Sequence, residues 1–328
     1  MSPEEDPPQV STNSGLSPPE GLAALADAPT VTPVARFTTE RLTCFAKLEY
    51  ANVHGSLKDR PARQVLRRAA ERGELTRAST VVESSSGNFA VALASFCRVL
   101  GVPFIPVIDS NVNAATEAHL RLLCARIEKI GPGVASPLAA RLARVRELCA
   151  SLADVYWPDQ YTNPDAVRAH YAGTGAELSR LPDRLDHVFV GVGSGATIAG
   201  VSQRLKEDSP RTRVVAVDVQ GSTIFGGPPS DRHIPGIGSS MSLPLLADAV
   251  VDDVVVVSEV DTVRGCRDLL REQGIFAGGS SGSAYAAISR YFDDYRGPHQ
   301  NVAFLCADRG SAYADTVYDP RWVREVLG

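Results

Sequence analysis

The chain has 328 residues, 44% of them hydrophobic, with a formal net charge of −5 and a sequence pI near 5.7. That length suits about two domains with ample apolar material for a core, and the mild acidity offers no concentrated basic face for nucleic acid, so small-molecule chemistry is the default expectation. No window approaches the roughly 18 uninterrupted apolar residues of a membrane span, and six scattered cysteines without a C-x-x-C pair suggest neither a disulfide framework nor a thiolate metal site.

Residues 1–30 are acidic and rich in Pro and Ser and lack the basic and apolar regions of a signal peptide, which predicts a flexible tail on a cytoplasmic protein. Beyond it, the pattern alternates. A strand over 43–51 precedes a helix over 59–75, with apolar residues at 62, 65, 66, 69 and 70 and Gly73 as its stop. Then come a strand at 79–84, a helix at 88–101, a strand at 103–109, a helix at 114–126, a strand at 126–131, a helix at 137–152 and an irregular stretch over 156–173. The second half repeats the style. It has strands at 186–192, 213–219, 252–258 and 301–307, helices at 198–208, 261–274 and 281–292, and a long Gly/Pro loop from 221 to 244. Short apolar strands between amphipathic helices imply parallel sheets covered on both faces. The expected architecture is α/β, with two open α/β domains over 31–158 and 159–328, a mobile part at about 85–150, and a ligand cleft between them.

Three Gly/Ser loops sit where a strand hands over to a helix: "ESSSGN" at 83–88, "GVGSGAT" at 191–197 and "GGSSGS" at 278–283. Ligands of open α/β sheets bind beyond the carboxyl ends of the strands, where helix N-termini offer N–H groups to anions. "GVGSGA" also fits a loose dinucleotide fingerprint with Asp218 as a ribose ligand, but that reading leaves the other two loops unused. Only four of the 33 basic residues are lysines: Lys47, Lys58, Lys129 and Lys206. Lys58, in "HGSLKDRPA", follows a Gly-Ser turn and opens a helix; a solvated helix-start lysine is its plainer reading. A lysine amine beside a phosphate-binding glycine loop suggests pyridoxal phosphate.

The blocks "KLEYANVHGSLKDRPA", "VVESSSGNFAVALA", "GVGSGATIAGV" and "GIFAGGSSGSAYAA" resemble, in order and spacing, the signature blocks of the cysteine synthase and cystathionine β-synthase family. The likeness runs from about residue 36 to 320. It implies the type II pyridoxal-phosphate fold, like that of tryptophan synthase β, and a homodimer acting on small amino acids. Within that family, "KDRPA", "YWPDQYTNPDAVRAHYAGTGAE", "VVAVDVQGSTIFG", "IPGIG" and "DRGSAYADTVYDPRWV" are similar to the branch that makes N-(2-amino-2-carboxyethyl)-L-glutamate, a 2,3-diaminopropionate precursor for siderophores and peptide antibiotics. O-phospho-L-serine and L-glutamate are the implied substrates. A cysteine synthase using sulfide, and a non-catalytic cofactor- or partner-binding member, are the alternatives.

By this resemblance Lys58 is the Schiff-base lysine and the base at the substrate's Cα. Gly193, Ser194, Gly195, Ala196 and Thr197 are implied to wrap the cofactor phosphate, Asn88 to bond the ring hydroxyl and Ser280 to face the pyridine nitrogen. Ala196 stands where the family more often has glycine, which is tolerable if its φ is negative. Ser85, Ser86 and Gly87 match the substrate-carboxylate loop, with capping of the 88–101 helix as an alternative or concurrent role. Gln160 matches a glutamine near that carboxylate, with loop hydrogen bonding as its alternative. Phe89 stands where cysteine synthases usually have threonine, implying a different pocket. Arg141 and Tyr161 are candidates for glutamate's carboxylates, a surface role for Arg141 being the equal alternative, and Arg232 is a candidate for the leaving phosphate.

Overall fold

The alternating pattern folds into two separate sheets, seen in a computed structural model that describes residues 31–328. The tail expected over residues 1–30 lies outside them. The larger sheet holds β1 (Val34–Thr38), β2 (Leu42–Leu48), β7 (His187–Gly191), β8 (Arg213–Val219), β9 (Asp253–Val257) and β10 (Gln300–Cys306), in the order β1-β2-β10-β7-β8-β9. All its pairs are parallel except β1 with β2. The smaller sheet is fully parallel, in the order β5-β4-β3-β6, with β3 at Thr80–Ser84, β4 at Phe104–Asp109, β5 at Glu128–Ile130 and β6 at Val155–Tyr156.

Strand membership does not follow the expected partition at 31–158 and 159–328. β1 and β2 precede the small sheet in the chain yet belong to the large one, where β2 lies between β1 and β10. The physical reason is in the composition of β2: six of its seven residues are buried, so it needs cover on both faces, which an interior sheet position supplies. The chain therefore leaves the large sheet after residue 48, builds the small sheet over residues 80–156, and returns.

Both faces of each sheet are covered. On the small sheet, Val81 and Phe104 share an apolar cluster with Val65, Leu66 and Ala69 of the helix Asp59–Glu71 and Leu93 of the helix Asn88–Leu100. The opposite face packs Val82, Ile105 and Val107 on Val145 and Leu148 of the helix Pro137–Ser151. Phe189, Val215, Val217 and Phe304 of the large sheet meet the helices Glu259–Gln273 and Gly279–Tyr291. Val188, Val190, Val214 and Ala216 meet Ile198, Val201 and Leu205 of the helix Ala196–Asp208. The stretch read as irregular contains a seven-residue helix, Pro164–His170, continued by a π-helical turn, Tyr171–Gly175. It is too short for periodicity to reveal, but Asn163 caps it by accepting from the Asp165 amide at 3.0 Å, with Pro164 in the first turn.

Candidate active site

Lys58 is the N-cap residue of the helix Asp59–Glu71, behind a turn in which Gly55 takes φ +89°. Strand-end pairing fixes that turn: Leu57 N–H donates to Ala307 O at 2.7 Å, and Ser56 bridges to Asp308 just past β10. The Lys58 side chain is half-buried, and its Nζ lies 3.4 Å from Ser194 Oγ. Among the described residues no carboxylate lies within ion-pair distance of it. Burial without a counter-charge pushes the amine down to about 8.

Ser194 belongs to the turn between β7 and the helix Ala196–Asp208. Gly195 takes φ +90°, and a Cβ there would lie 2.9 Å from Leu246 N, so both its conformation and its surroundings require glycine. Ala196 is the first helical residue and is not among the positive-φ positions, so its side chain is accommodated. Among the described residues no side chain caps this helix, which leaves its first N–H groups, next to Ser194 in the chain, without an intrahelical partner. The Thr197 hydroxyl lies 3.2 Å from His170 Nε2, while His170 Nδ1 lies 3.2 Å from the Thr174 hydroxyl. His170 is fully buried, and burial, with Lys58 and Arg60 nearby, holds its pKa well below the usual histidine range.

Asn88 opens the helix Asn88–Leu100 and donates through Nδ2 to Asp308 Oδ2 at 2.7 Å. Ser280 lies in the first turn of the helix Gly279–Tyr291, and its Cβ is 3.7 Å from where a Cβ on Gly191 would stand. It is therefore beside the end of β7. The three Gly/Ser loops and Lys58 thus converge at the carboxyl ends of β3, β7 and β10, in keeping with the general position of ligand sites on open α/β sheets.

The Ser85–Gly87 loop divides its work. Ser85 Oγ accepts from the Gly87 and Ala90 amides at 3.4 and 3.2 Å, which is the capping role. Ser86 Oγ accepts from Asp109 N–H at 3.0 Å, tying the ends of β3 and β4 together. Gln160 Nε2 donates to Ser84 O at 3.0 Å. Arg141 is not a surface group: its side chain is only 11% exposed, and Nε sits 2.9 Å from Asp109 Oδ2. Burial raises the Tyr161 phenol while the adjacent Arg141 draws it down, so the two side chains face each other. Phe89, by contrast, is 2% exposed and lies in the core of the small sheet. Arg232 stands apart from Arg141. Its guanidinium donates to Ile237 O at 3.3 Å and Ser240 Oγ at 3.0 Å within its own loop, whose Gly236 carbonyl abuts Gly193.

A family model described as "Pyridoxal-phosphate dependent enzyme" matches residues 25–308. The chain belongs to that family. An N-(2-amino-2-carboxyethyl)-L-glutamate synthase of Ralstonia nicotianae is 41% identical over 285 residues, covering 86% of this chain and 84% of the relative. A synthase of the same name from Cupriavidus metallidurans is 39% identical with the same coverage. Among solved structures, an O-acetylserine-dependent cystathionine β-synthase from Helicobacter pylori superposes with a TM-score of 0.81 at 28% identity, over 87% of this chain and 94% of that one. An O-ureido-L-serine synthase gives 0.82 at 28% identity, over 88% and 92%. This member of the pyridoxal-phosphate-dependent family is a β-substituting synthase of the type II fold, and its cofactor is pyridoxal phosphate.

The residues present fit that cofactor. An aldehyde needs an amine that gives up its proton readily, and burial moves Lys58 in that direction. A phosphate needs converging N–H and O–H donors, which the Gly193–Thr197 turn offers. A ring hydroxyl and a ring nitrogen each need one polar partner, and Asn88 and Ser280 stand at the same cleft. Lys129 and Lys206 carry ion pairs to Glu117 and Asp252 and are committed elsewhere. Sequence reasoning did not single out Asp308, Tyr313, His170, Thr174 or Asp109. Asp308 follows the last predicted strand at its carboxyl end, and that position is the signal that could have found it.

Proposed function

We propose that this enzyme joins O-phospho-L-serine and L-glutamate into N-(2-amino-2-carboxyethyl)-L-glutamate and phosphate. In that reaction the Cβ–O bond of the serine ester breaks and phosphate leaves with its electron pair, the glutamate ammonium loses one proton to expose the lone pair that forms the bond to Cβ, and the proton that Lys58 takes from Cα is returned there. One observation carries the choice of nucleophile: a buried arginine, Arg141, faces Tyr161 beside the Ser85–Gly87 loop, with only Asp109 as its counter-charge. Sulfide needs no such cation. A dicarboxylate does, and a buried guanidinium that trades Asp109 for a substrate carboxylate gains charge-assisted hydrogen bonds without losing its partner charge. The names of the two curated relatives support the same choice.

When bound, the cofactor supplies an aldehyde for an amine and a ring that takes up carbanion charge. The chain supplies the rest. Lys58 Nζ holds the cofactor and accepts the proton from Cα of the amino acid, a task suited to an amine near 8 with no carboxylate beside it. Gly193, Ser194, Gly195, Ala196 and Thr197 bind the phosphate; Asn88 orients the ring through its hydroxyl. Ser280 would offer the ring nitrogen a neutral hydroxyl, a partner that would draw less carbanion charge into the ring than a carboxylate would. Ser85, Ser86, Gly87 and Gln160 grip the first substrate's carboxylate, Arg141 and Tyr161 receive glutamate, and Arg232 meets the leaving phosphate once it swings from the Ile237 carbonyl. The same reading makes the enzyme a cytoplasmic homodimer that supplies 2,3-diaminopropionate for a siderophore or peptide antibiotic.

Product mass spectrometry tests the proposal. With O-phosphoserine and glutamate the expected product is the carbon–nitrogen adduct. Cysteine formed readily from sulfide, with no adduct from glutamate under the same conditions, overturns it in favour of a cysteine synthase.

A further inference from the structure

Asp308 links several parts of the site, yet among the described residues one of its oxygens has no hydrogen-bond partner. It is 6% exposed, two residues past the end of β10. Its Oδ2 accepts from Asn88 Nδ2 at 2.7 Å and from the Tyr313 hydroxyl at 2.9 Å, while Oδ1 is buried with no hydrogen bond among the described residues. Its backbone pairs with Ser56 in the Lys58 turn and accepts from Gly278 N–H at 3.0 Å, just before Ser280. Room for the carboxylate is made by Gly278: a Cβ there would come within 2.0 Å of Asp308 Oδ1 and 2.5 Å of the Tyr313 ring. A buried carboxylate against a glycine, with one oxygen unsatisfied, is costly unless it performs a task.

The task follows from the chemistry of an amide. Asn88 can present either its NH2 or its carbonyl oxygen to a neighbour. With Asp308 as the neighbour, the flipped amide would set two acceptors against each other, so only the orientation with Nδ2 towards Asp308 survives. One N–H is then spent on Oδ2, and the second is held in a single direction. We propose that Asp308 is a positioning residue: it locks the Asn88 amide so that its remaining N–H is aimed at the oxygen on the cofactor ring. This rests on the reading of Asn88 as the ring-hydroxyl partner. Tyr313, donating to the same Oδ2, holds the carboxylate in place, and the backbone contacts of Asp308 keep Asn88 in register with the Lys58 turn and with Ser280.

The test titrates cofactor-free enzyme with pyridoxal phosphate, reading affinity and the ratio of the two absorbance bands that report ionisation of the ring oxygen. D308A is expected to weaken affinity at least tenfold and to shift the band ratio, and N88A to do the same. The double variant should be within threefold of N88A alone, because both changes remove one interaction. D308N, which keeps an acceptor where Oδ2 stands, should remain within threefold of the unaltered enzyme. An unchanged band ratio in D308A, losses that multiply in the double variant, or a D308N as weak as D308A overturns the proposal. If D308A does not fold, the swap N88D with D308N decides. It restores a complementary pair but turns an acceptor to the cofactor, so its melting temperature should recover while affinity stays at least tenfold down; full recovery of affinity is the contrary result. Should the unaltered enzyme show no bound-cofactor band, the reading of the site fails, and that outcome is distinct from all of these.

Discussion

Two lysines, one buried and one half-buried, stand on either side of one turn and have opposite surroundings. Lys47, in β2, is 1% exposed, with Nζ at 2.6 Å from Glu177 Oε2 and 2.7 Å from Thr32 O, and a second carboxylate, Glu49, at 3.9 Å. Arg60, in the first turn of the helix that Lys58 opens, closes the network with Glu49 at 2.7 Å and Glu177 at 2.6 Å. Lys58 has a single hydroxyl at 3.4 Å. Burial alone therefore does not make a lysine reactive; the partner set does. Two cations and two carboxylates form a neutral, satisfied brace, whereas an amine without a counter-charge is pushed toward the neutral, nucleophilic form. The brace also anchors the helix that Lys58 opens, since Arg60 is held by both carboxylates.

The largest effect expected is on Lys58. Lys58→Ala should lower kcat by about 10⁴-fold, the upper end for a positioned general base, while the unfolding free energy stays level or rises. Loss of activity accompanied by collapse of stability would mean that Lys58 is a second brace. The pH dependence sharpens this. With a folded pKa of about 8 against about 10.4 in the unfolded chain, the folded state binds fewer protons between those values. The stability of the cofactor-free enzyme relative to Lys58→Met should therefore rise with pH from about 8 to about 10.4 in denaturant titrations, and a flat difference counts against the desolvated amine.

Lys47→Met should act the other way. It leaves Glu177 buried beside an unfilled cation site and should cost about 3–5 kcal/mol of unfolding free energy. In whatever folded fraction remains, borohydride reduction and peptide mapping should still label Lys58, and a label at position 47 in the unaltered enzyme would reverse the assignment of the two lysines.

Next in size is Arg141→Ala, expected to raise KM for glutamate about tenfold or more, in line with the ~1.5–3 kcal/mol of a hydrogen bond to a charged group. Cofactor affinity should stay as in the unaltered enzyme. An equal loss for both would make Arg141 a structural partner of Asp109.

The last comparison concerns Glu83, 0% exposed on β3, whose carboxyl is raised by burial to about 8. The folded state binds more protons than the unfolded chain between the usual value of about 4.3 and 8, so its contribution to stability falls as pH rises through that window. Glu83→Gln should match the unaltered enzyme within about 1 kcal/mol near pH 4 and exceed it above pH 8. A constant difference across that range would argue against a neutral Glu83.

Much of this arrangement was legible in the residues. Apolar runs gave the strands and the 3.6-residue spacing of 62, 65, 66 and 69 gave the helix after Lys58, because periodicity depends only on which face meets a core. Lys58 stood out because lysine is rare here and this one follows a Gly-Ser turn. What stayed hidden was long-range. The strand over 43–51 read as the start of an N-terminal domain, but β2 pairs with β10, some 250 residues later in the chain. Arg141 read equally well as a surface residue, since nothing near it in sequence reveals Asp109 at 2.9 Å. Ala196, a departure from the family pattern, proved compatible because the positive φ falls on Gly195 instead.

By itself the sequence determined the alternation of elements, the glycines at turns and the kinds of chemistry available, since these follow from local conformational preference and side-chain type. Tertiary structure alone decided which lysine is braced by carboxylates and which is left with one hydroxyl, and it set Asp308 against Asn88. The reason is physical: charge state and hydrogen-bond direction depend on which groups share a desolvated space, and here those groups come from β2, β10 and helices that are distant along the chain.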